Sequence, residues 1–479
     1  MSKRGAFAGA CVAGLLVCAA VASGAPQPET LQQLQDLYPA VHDSANAALV
    51  YQKARDLRVM SQYDNELPLL GGGKMPAIPA EPLAPHVKAS IAIELERNAG
   101  VLQLLHQAAG MPQCRFPVDL TKGEAMELPH LAPMRDFERL LALQALGAAD
   151  DKNAEVSAQA VLDGMAVAQS LKKEPIIIAQ LVRIACWSIA VETLEQVINR
   201  VPLDENALLL LQQSLARADD REAITRALQG EFCVQMSLPT ESAEEKAARE
   251  AAIAQLEEKM RAEEEARARA MAESGDDAPE DGDAAENTEN REEMPAPGVQ
   301  GELVHEIDPA LYQPKLSPEA KQEILKDARR MVDESRLPYA KIMKLLPPPN
   351  LPAAGPFDSQ RNGNGRGGGR TAPLRRSIVA AARMAALTAA AHGALAIERY
   401  RLKNGKLPEN WENLVPEFLP APPPDPFLNV GPLVYRAIDG GYIVYSVGQD
   451  AKDDGGSKGD GHPPLDHAFR VMRVAPAAK

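Results

Sequence analysis

Residues 396–427 read AIERYRLKNGKLPENWENLVPEFLPAPPPDPF, and the chain ahead of them is rich in alanine back to Pro373. Proline is tolerated in the first turn of a helix, so Pro373 can open one, and from Leu374 to about Leu402 only Gly393 works against it. At about 1.5 Å per residue such a helix is roughly 43 Å long. Ile378, Ala381, Ala385, Thr388, Ala391 and Leu395 trace one face of mostly small side chains, which lets a sheet or partner approach closely. His392 sits among alanines and reads as structural. Asn404-Gly405 ends the helix, because both residues tolerate positive φ. Beyond Phe427 the period changes. LVYRAI (433–438) and YIVYSV (442–447) alternate β-favouring residues around Asp439-Gly440-Gly441, a tight-turn signal, and HAFRVMRV (467–474) supplies a third strand. These signals predict an α+β unit over 371–479, with a long helix packed on a small antiparallel sheet.

Between the second and third strands lie Asp450, Asp453, Asp454, Asp460 and Asp466, spaced by glycines. Hard cations such as Ca2+ take six to eight oxygens, and a glycine-rich loop lets carboxylates and carbonyls turn inward together. The rival assignments are a solvated acidic turn and a transition-metal site using His462 and His467. The run RYRLKNGKLP (399–408), LVPEFLP (414–420), Asp425-Pro426-Phe427, hairpin and acidic loop resembles, in that order, the soluble head of the major pseudopilin of type II secretion systems. The resemblance covers about 100 of the 479 residues. It implies a calcium-binding loop in which Asp450 and Asp460 or Asp466 are ligands, helped by backbone oxygens. Asp453 and Asp454 are weaker candidates because adjacent side chains diverge, and GHPPL (461–465) is inserted before Asp466, which leaves the later ligand open. A pilin subunit would carry its apolar assembly helix immediately ahead of this head. Here more than 340 residues intervene, and the fifth residue after Gly5 is Ala10 rather than glutamate, so a filament subunit is not expected.

Upstream, Glu29 to Met236 is a series of amphipathic helical patterns. HVKASIAIELERNAGVLQLLHQAAG (86–110) places Ile91, Leu95, Leu102 and Leu105 at helical spacing and stops at Gly110. PMRDFERLLALQALGAA (133–149) follows, then a segment with Asn153 as N-cap and Pro175 beyond its far end. PIIIAQLVRIACWSIAVETLEQVINRV (175–201) is the most apolar and belongs at the centre. Asp204–Arg217 and Asp220–Cys233 complete the set. Short links imply antiparallel neighbours. The fold expected is therefore mainly α: an N-terminal α-helical bundle or short α-solenoid over 26–238, plus the C-terminal α+β pseudopilin-like module. LPLLGGGKMPAIPAEPLAP (67–85) is a loop laid across the bundle, and CRFPVDLTKGEAMELPHL (114–131) separates two helices and carries His130, read as structural.

Residues 239–300 combine a solvated charged helix to about Met271 with an acidic stretch poor in apolar residues, read as a linker. Ser317-Pro318-Glu319 starts another helix within 301–347, and 348–370, ending in SQRNGNGRGGGR, is a flexible loop. The formal charge is −15, of which 241–300 carries about −12, so the remainder is close to neutral. An acidic chain of this kind is a poor nucleic-acid partner. Residues 1–25 show Lys3 and Arg4, an apolar run from Ala6 to Val21 and a small-x-small site at Ala20-Val21-Ala22, which predicts a signal peptide; an uncleaved anchor is the alternative, and lipidation at Cys11 or Cys18 lacks its pattern. No later segment is expected to cross a membrane. After processing three cysteines remain. Cys186 reads as a buried apolar residue, Cys114 with Cys233 as the pair to test for a disulfide, and none has a base nearby in sequence.

The function expected is that of an exported, extracytoplasmic, non-enzymatic protein meeting a protein partner in the cell envelope. The alternatives are an extracytoplasmic hydrolase, with Glu94, Glu96 and Asp136 lining a groove, and a secretion-system accessory protein. The chain has no H-E-x-x-H and no G-x-x-x-x-G-K-[ST] phosphate loop, and its single G-x-S-x-G match, Gly455 to Gly459, lies within the acidic loop.

Overall fold

A computed structural model describes residues 28–59, 67–70, 75–78, 80–218, 221–273, 315–345, 372–457 and 466–472. The expected signal peptide, the acidic stretch from 274 and the 348–370 loop lie outside the described residues, as do Asp460 and His462. The chain is mainly helical, with a three-stranded antiparallel sheet near its C-terminus.

The first half is built from α1 (Leu31–Asp36), α2 (Ala47–Leu57), α3 (Pro85–Arg97), α4 (Ala99–Ala109), α5 (Leu131–Asp150), α6 (Ala154–Ser170), α7 (Ile177–Arg200), α8 (Glu205–Ala216) and α9 (Arg221–Ser237). Several ends follow the local chemistry. The Asn153 side chain accepts the Val156 N–H at the start of α6, and Asp204 accepts the Ala207 N–H at the start of α8. The single helix expected over 86–110 is two helices. Asn98 leaves helical geometry at φ −108°, ψ 21°, and its side chain binds the Glu94 carboxylate and the backbone of Val59. A tertiary anchor thus competes with the helix at the one residue type that readily leaves it.

Leu67 and Leu70 of the glycine- and proline-rich segment pack with Ile91 and Leu143. The loop is pinned from below, where Gln196 donates to Pro76 O, Arg200 to Glu81 O, and Asp150 accepts the Leu83 N–H. The expectation of a loop laid across the bundle therefore holds for its described part.

Helix α10 (Ala243–Glu273) projects from a closed neck. Glu241 N–H donates to Leu316 O, Leu316 N–H to Pro239 O, and Lys315 pairs with Glu245 at 2.8 Å. The chain thus leaves and rejoins the body at one point, and α11 (Pro318–Ser335), capped by Ser317, and α12 (Tyr339–Leu345) pack back onto α9 and its neighbours.

Helix α13 (Ala372–Asn404) ends at Gly405, φ 71°, as its sequence predicts. Strands β1 (Val434–Ile438), β2 (Gly441–Ser446) and β3 (His467–Met472) form the sheet in that order, with Ile438 opposite Gly441 across an Asp439-Gly440 turn. Tyr442, Val444, Phe469 and Val471 face α13, and Tyr442 OH donates to Ala394 O. Ile443, Tyr445 and Ala468 occupy the opposite face.

A boundary at 371 passes through a single core. Trp187, Leu194 and Leu211 share one apolar cluster with Ile378, Ala390, Phe418 and Val444. Trp187 Nε1–H donates to Thr388 Oγ1 at 2.8 Å, and Gln212 Nε2–H to Phe418 O at 3.0 Å. The outer edge of β3 meets α7. Glu195 accepts the Arg470 N–H, while Asn199 accepts the Met472 N–H and donates to Arg470 O. Helix side chains thus satisfy an edge that would otherwise invite another strand.

Helices α7 and α13 are both long and apolar enough to cross a membrane, with about two thirds of each apolar stretch buried in the protein. The expectation that no segment beyond the signal has that length and composition fails. Their apolar surface is used instead for the shared core.

Candidate functional site

The glycine–aspartate loop folds back over the outer face of the sheet. It starts from Asp425, whose buried carboxylate accepts the Phe427 N–H, the Ser446 hydroxyl and the Val447 N–H. The Asp425-Pro426-Phe427 motif is therefore a clamp that fixes where β2 hands over to the loop. Gly455 and Gly456 both take positive φ, 74° and 77°, and a Cβ on Gly456 would lie 2.4 Å from Ile443 Cδ1. Glycine is required there by backbone conformation and by contact with the sheet.

The aspartates divide. Asp450 is exposed, and its Oδ1 accepts the Lys452 N–H of its own turn. Asp453 Oδ1 accepts the Tyr445 hydroxyl and the Gly455 N–H, and its Oδ2 lies 3.4 Å from Arg436 Nη2. Those hydrogen bonds, led by Tyr445, hold its pKa below the usual carboxylate range. Asp454 is exposed. Asp466 is buried; its Oδ2 accepts the Gly456 N–H at 2.8 Å, and its Oδ1 has no hydrogen-bond partner among the described residues. Burial raises the Asp466 pKa, opposed by the Gly456 N–H and, more weakly, the Asp454 backbone N–H, and reinforced by the negative charges of Asp454 and Asp453.

A buried, half-satisfied carboxylate beside two further carboxylates and a glycine-rich backbone is chemistry that suits a hard cation. The emphasis differs from what the resemblance implied. Asp466 holds the enclosed position and feels the charge of Asp454 and Asp453; Asp450 uses one oxygen in a local turn, and Asp453 is engaged by Tyr445, Gly455 and Arg436. Among the described residues no three or more His, Cys, Asp or Glu side chains form a ready metal cluster; Asp460 is outside that set. His467 is packed away, stacked on Phe427 at 5.5 Å, with burial and Arg383 pushing its pKa down to about 4.

Of the carboxylates proposed to line a groove, Glu94 and Asp136 converge on Arg58. Its Nη1 lies 2.6 Å from Glu94 and its Nε 2.7 Å from Asp136, with the guanidinium and Glu94 side chains nearly sealed. A shared cation neutralises both, an arrangement that ties the chain after α2 to α3 and α5. Glu96 is exposed. His130 Nε2 donates to the Glu174 carboxylate at 2.8 Å and the ring stacks on Phe116, the structural role its sequence context indicates. His392 is half-buried. The three described cysteines are free. Cys233 donates to Pro28 O and Cys186 lies against Met134 O, and the Cys114–Cys233 disulfide singled out for testing is not formed. Burial pushes the Cys114 thiol up to about 12 and Cys233 to about 11, which removes their nucleophilic character at neutral pH.

No protein-family model, curated protein or solved structure matches this chain.

Proposed function

We propose that this protein is an exported component of the cell envelope with a non-enzymatic, interaction-bearing role, in which Ca2+ fastens the glycine–aspartate loop onto the C-terminal sheet. The observation that carries the metal reading is the buried, unpartnered Asp466 Oδ1 beside Asp453 and Asp454. Asp466, Asp453 and Asp454 would hold the ion, with loop carbonyls and Asp460 as further oxygen donors. The ion would supply positive charge where burial and crowding of carboxylates now oppose ionisation. Metal that binds only the folded loop adds to folding stability by mass action. Export is inferred from the N-terminal 25 residues, and Arg58 neutralises Glu94 and Asp136, two of the three carboxylates on which the hydrolase alternative would draw. Melting of the full chain with Ca2+ and with excess chelator tests the metal. A higher Tm with Ca2+ supports it, and superimposable melts overturn it. Fractionation of cells expressing the tagged full chain tests export, which cytosolic recovery of the unprocessed protein would refute.

A further inference from the structure

Far from the acidic loop, the end of α4, the middle of α6 and the end of α8 enclose a cleft of about 660 Å³, a volume in the range of small-molecule sites. Asp163 is buried in its wall, although it belongs to an otherwise apolar stretch of α6. Its carboxylate faces His106 Nδ1 at 3.0 Å and accepts from Gln159 Nε2 at 2.8 Å. A carboxylate at Nδ1 fixes the neutral imidazole with its proton there, which leaves Nε2 as a hydrogen-bond acceptor. The His106 side chain is 62% exposed, so that acceptor is reachable from the cleft. Arg217, exposed at the end of α8, lines the same cleft and has no side-chain partner among the described residues. Leu162 and Leu210 add apolar surface to its lining, and Leu210 is 43% exposed although it belongs to a helix packed on the core.

We propose that this cleft binds a small organic oxyanion that carries a hydroxyl group and a flat apolar body. The oxyanion pairs with the Arg217 guanidinium, the hydroxyl donates to His106 Nε2, and the body lies on Leu162 and Leu210. Arg217 suits a planar, bidentate oxyanion, whether carboxylate or phosphate monoester. Asp163 is a positioning residue, since both of its oxygens are already occupied. The proposal is independent of the calcium loop and of export.

Saturation-transfer NMR and calorimetry on the full chain with 4-hydroxybenzoate and 4-hydroxyphenyl phosphate separate the two anion types, and 4-hydroxybenzyl alcohol and benzoate delete the anion and the hydroxyl in turn. Saturable one-to-one binding by one of the two anions is expected, with at least tenfold weakening for the alcohol and for R217Q, and a smaller loss for H106F. R217Q falls on an exposed side chain, so its Tm should hold, whereas H106F removes the partner of the buried Asp163 carboxylate and should lower it. Absence of saturable binding by both anions, or R217Q binding as tightly as the natural chain, would overturn the proposal.

Discussion

Replacing Asn199 by alanine removes, from one side chain, the acceptor for the Met472 N–H at 2.6 Å and the donor to Arg470 O at 2.9 Å. Both backbone groups lie on the partly buried edge of β3, where no further strand is paired among the described residues. Leaving a buried polar group unsatisfied costs about 1–3 kcal/mol, so the pair amounts to roughly 2–4 kcal/mol once some water reaches the edge. With a urea dependence of about 3 kcal/mol per molar, the unfolding midpoint should fall by about 1 M. The chain's two tryptophans give a reporter on each side of the junction, Trp187 on α7 and Trp411 beside the sheet, and both belong to the same apolar cluster. Measured by fluorescence in the W187F and W411F backgrounds, Asn199→Ala should lower both transitions together, because a common core unfolds as a unit. A shift seen by Trp411 alone, with the Trp187 transition unmoved, would refute the shared core and restore residues 371–479 as an independent domain.

Other perturbations test separate links. Gly456→Ala forces a side chain into positive φ and against Ile443, so it should lower stability by about 1–3 kcal/mol in chemical unfolding; an unchanged midpoint would show that the loop does not rest on the sheet. Arg58→Ala leaves Glu94 and Asp136 without their common cation and should cost about 3–5 kcal/mol, part of which Arg58→Ala with Glu94→Gln recovers. Glu138 is buried with one oxygen unpartnered, and burial holds its pKa well above the usual 4.5. The folded state therefore keeps a proton that the unfolded state releases, and stability attributable to this group declines as pH rises above about 4.5. Glu138→Gln should gain on the natural chain by up to about 1.4 kcal/mol per pH unit above that point, and a pH-independent difference between the two would contradict it.

Much of the local architecture is legible in the sequence because its causes are local. Asn153, Ser317 and Asn404-Gly405 mark helix ends through short-range hydrogen bonding and backbone freedom, and Asp439-Gly440 fixes the hairpin register. The break at Asn98 is different. Its partner, the Val59 backbone, is 39 residues away, and the local pattern favours continuation. Likewise α7 reads as a plain core helix, yet Glu195 and Asn199 use its last turns to complete a strand edge more than 270 residues later. The acidic loop was visible from its aspartates and glycines, whereas the ranking of those aspartates depends on which one the sheet encloses. Asp163 offered a faint signal, a carboxylate amid Val161, Leu162 and Met165. Its partner His106 sits on a separate helix 57 residues away, and only the fold brings the two together.

Cation binding by the loop over the sheet, proposed above to be organised by Asp466, is open to calcium titration calorimetry on the full chain and on Asp466→Asn. The natural chain should bind one Ca2+ saturably and the variant should lose that binding, while the Asn199→Ala protein, still folded in the absence of urea, should retain it. Binding of equal strength in Asp466→Asn, or no heat of binding in the natural chain, would contradict it.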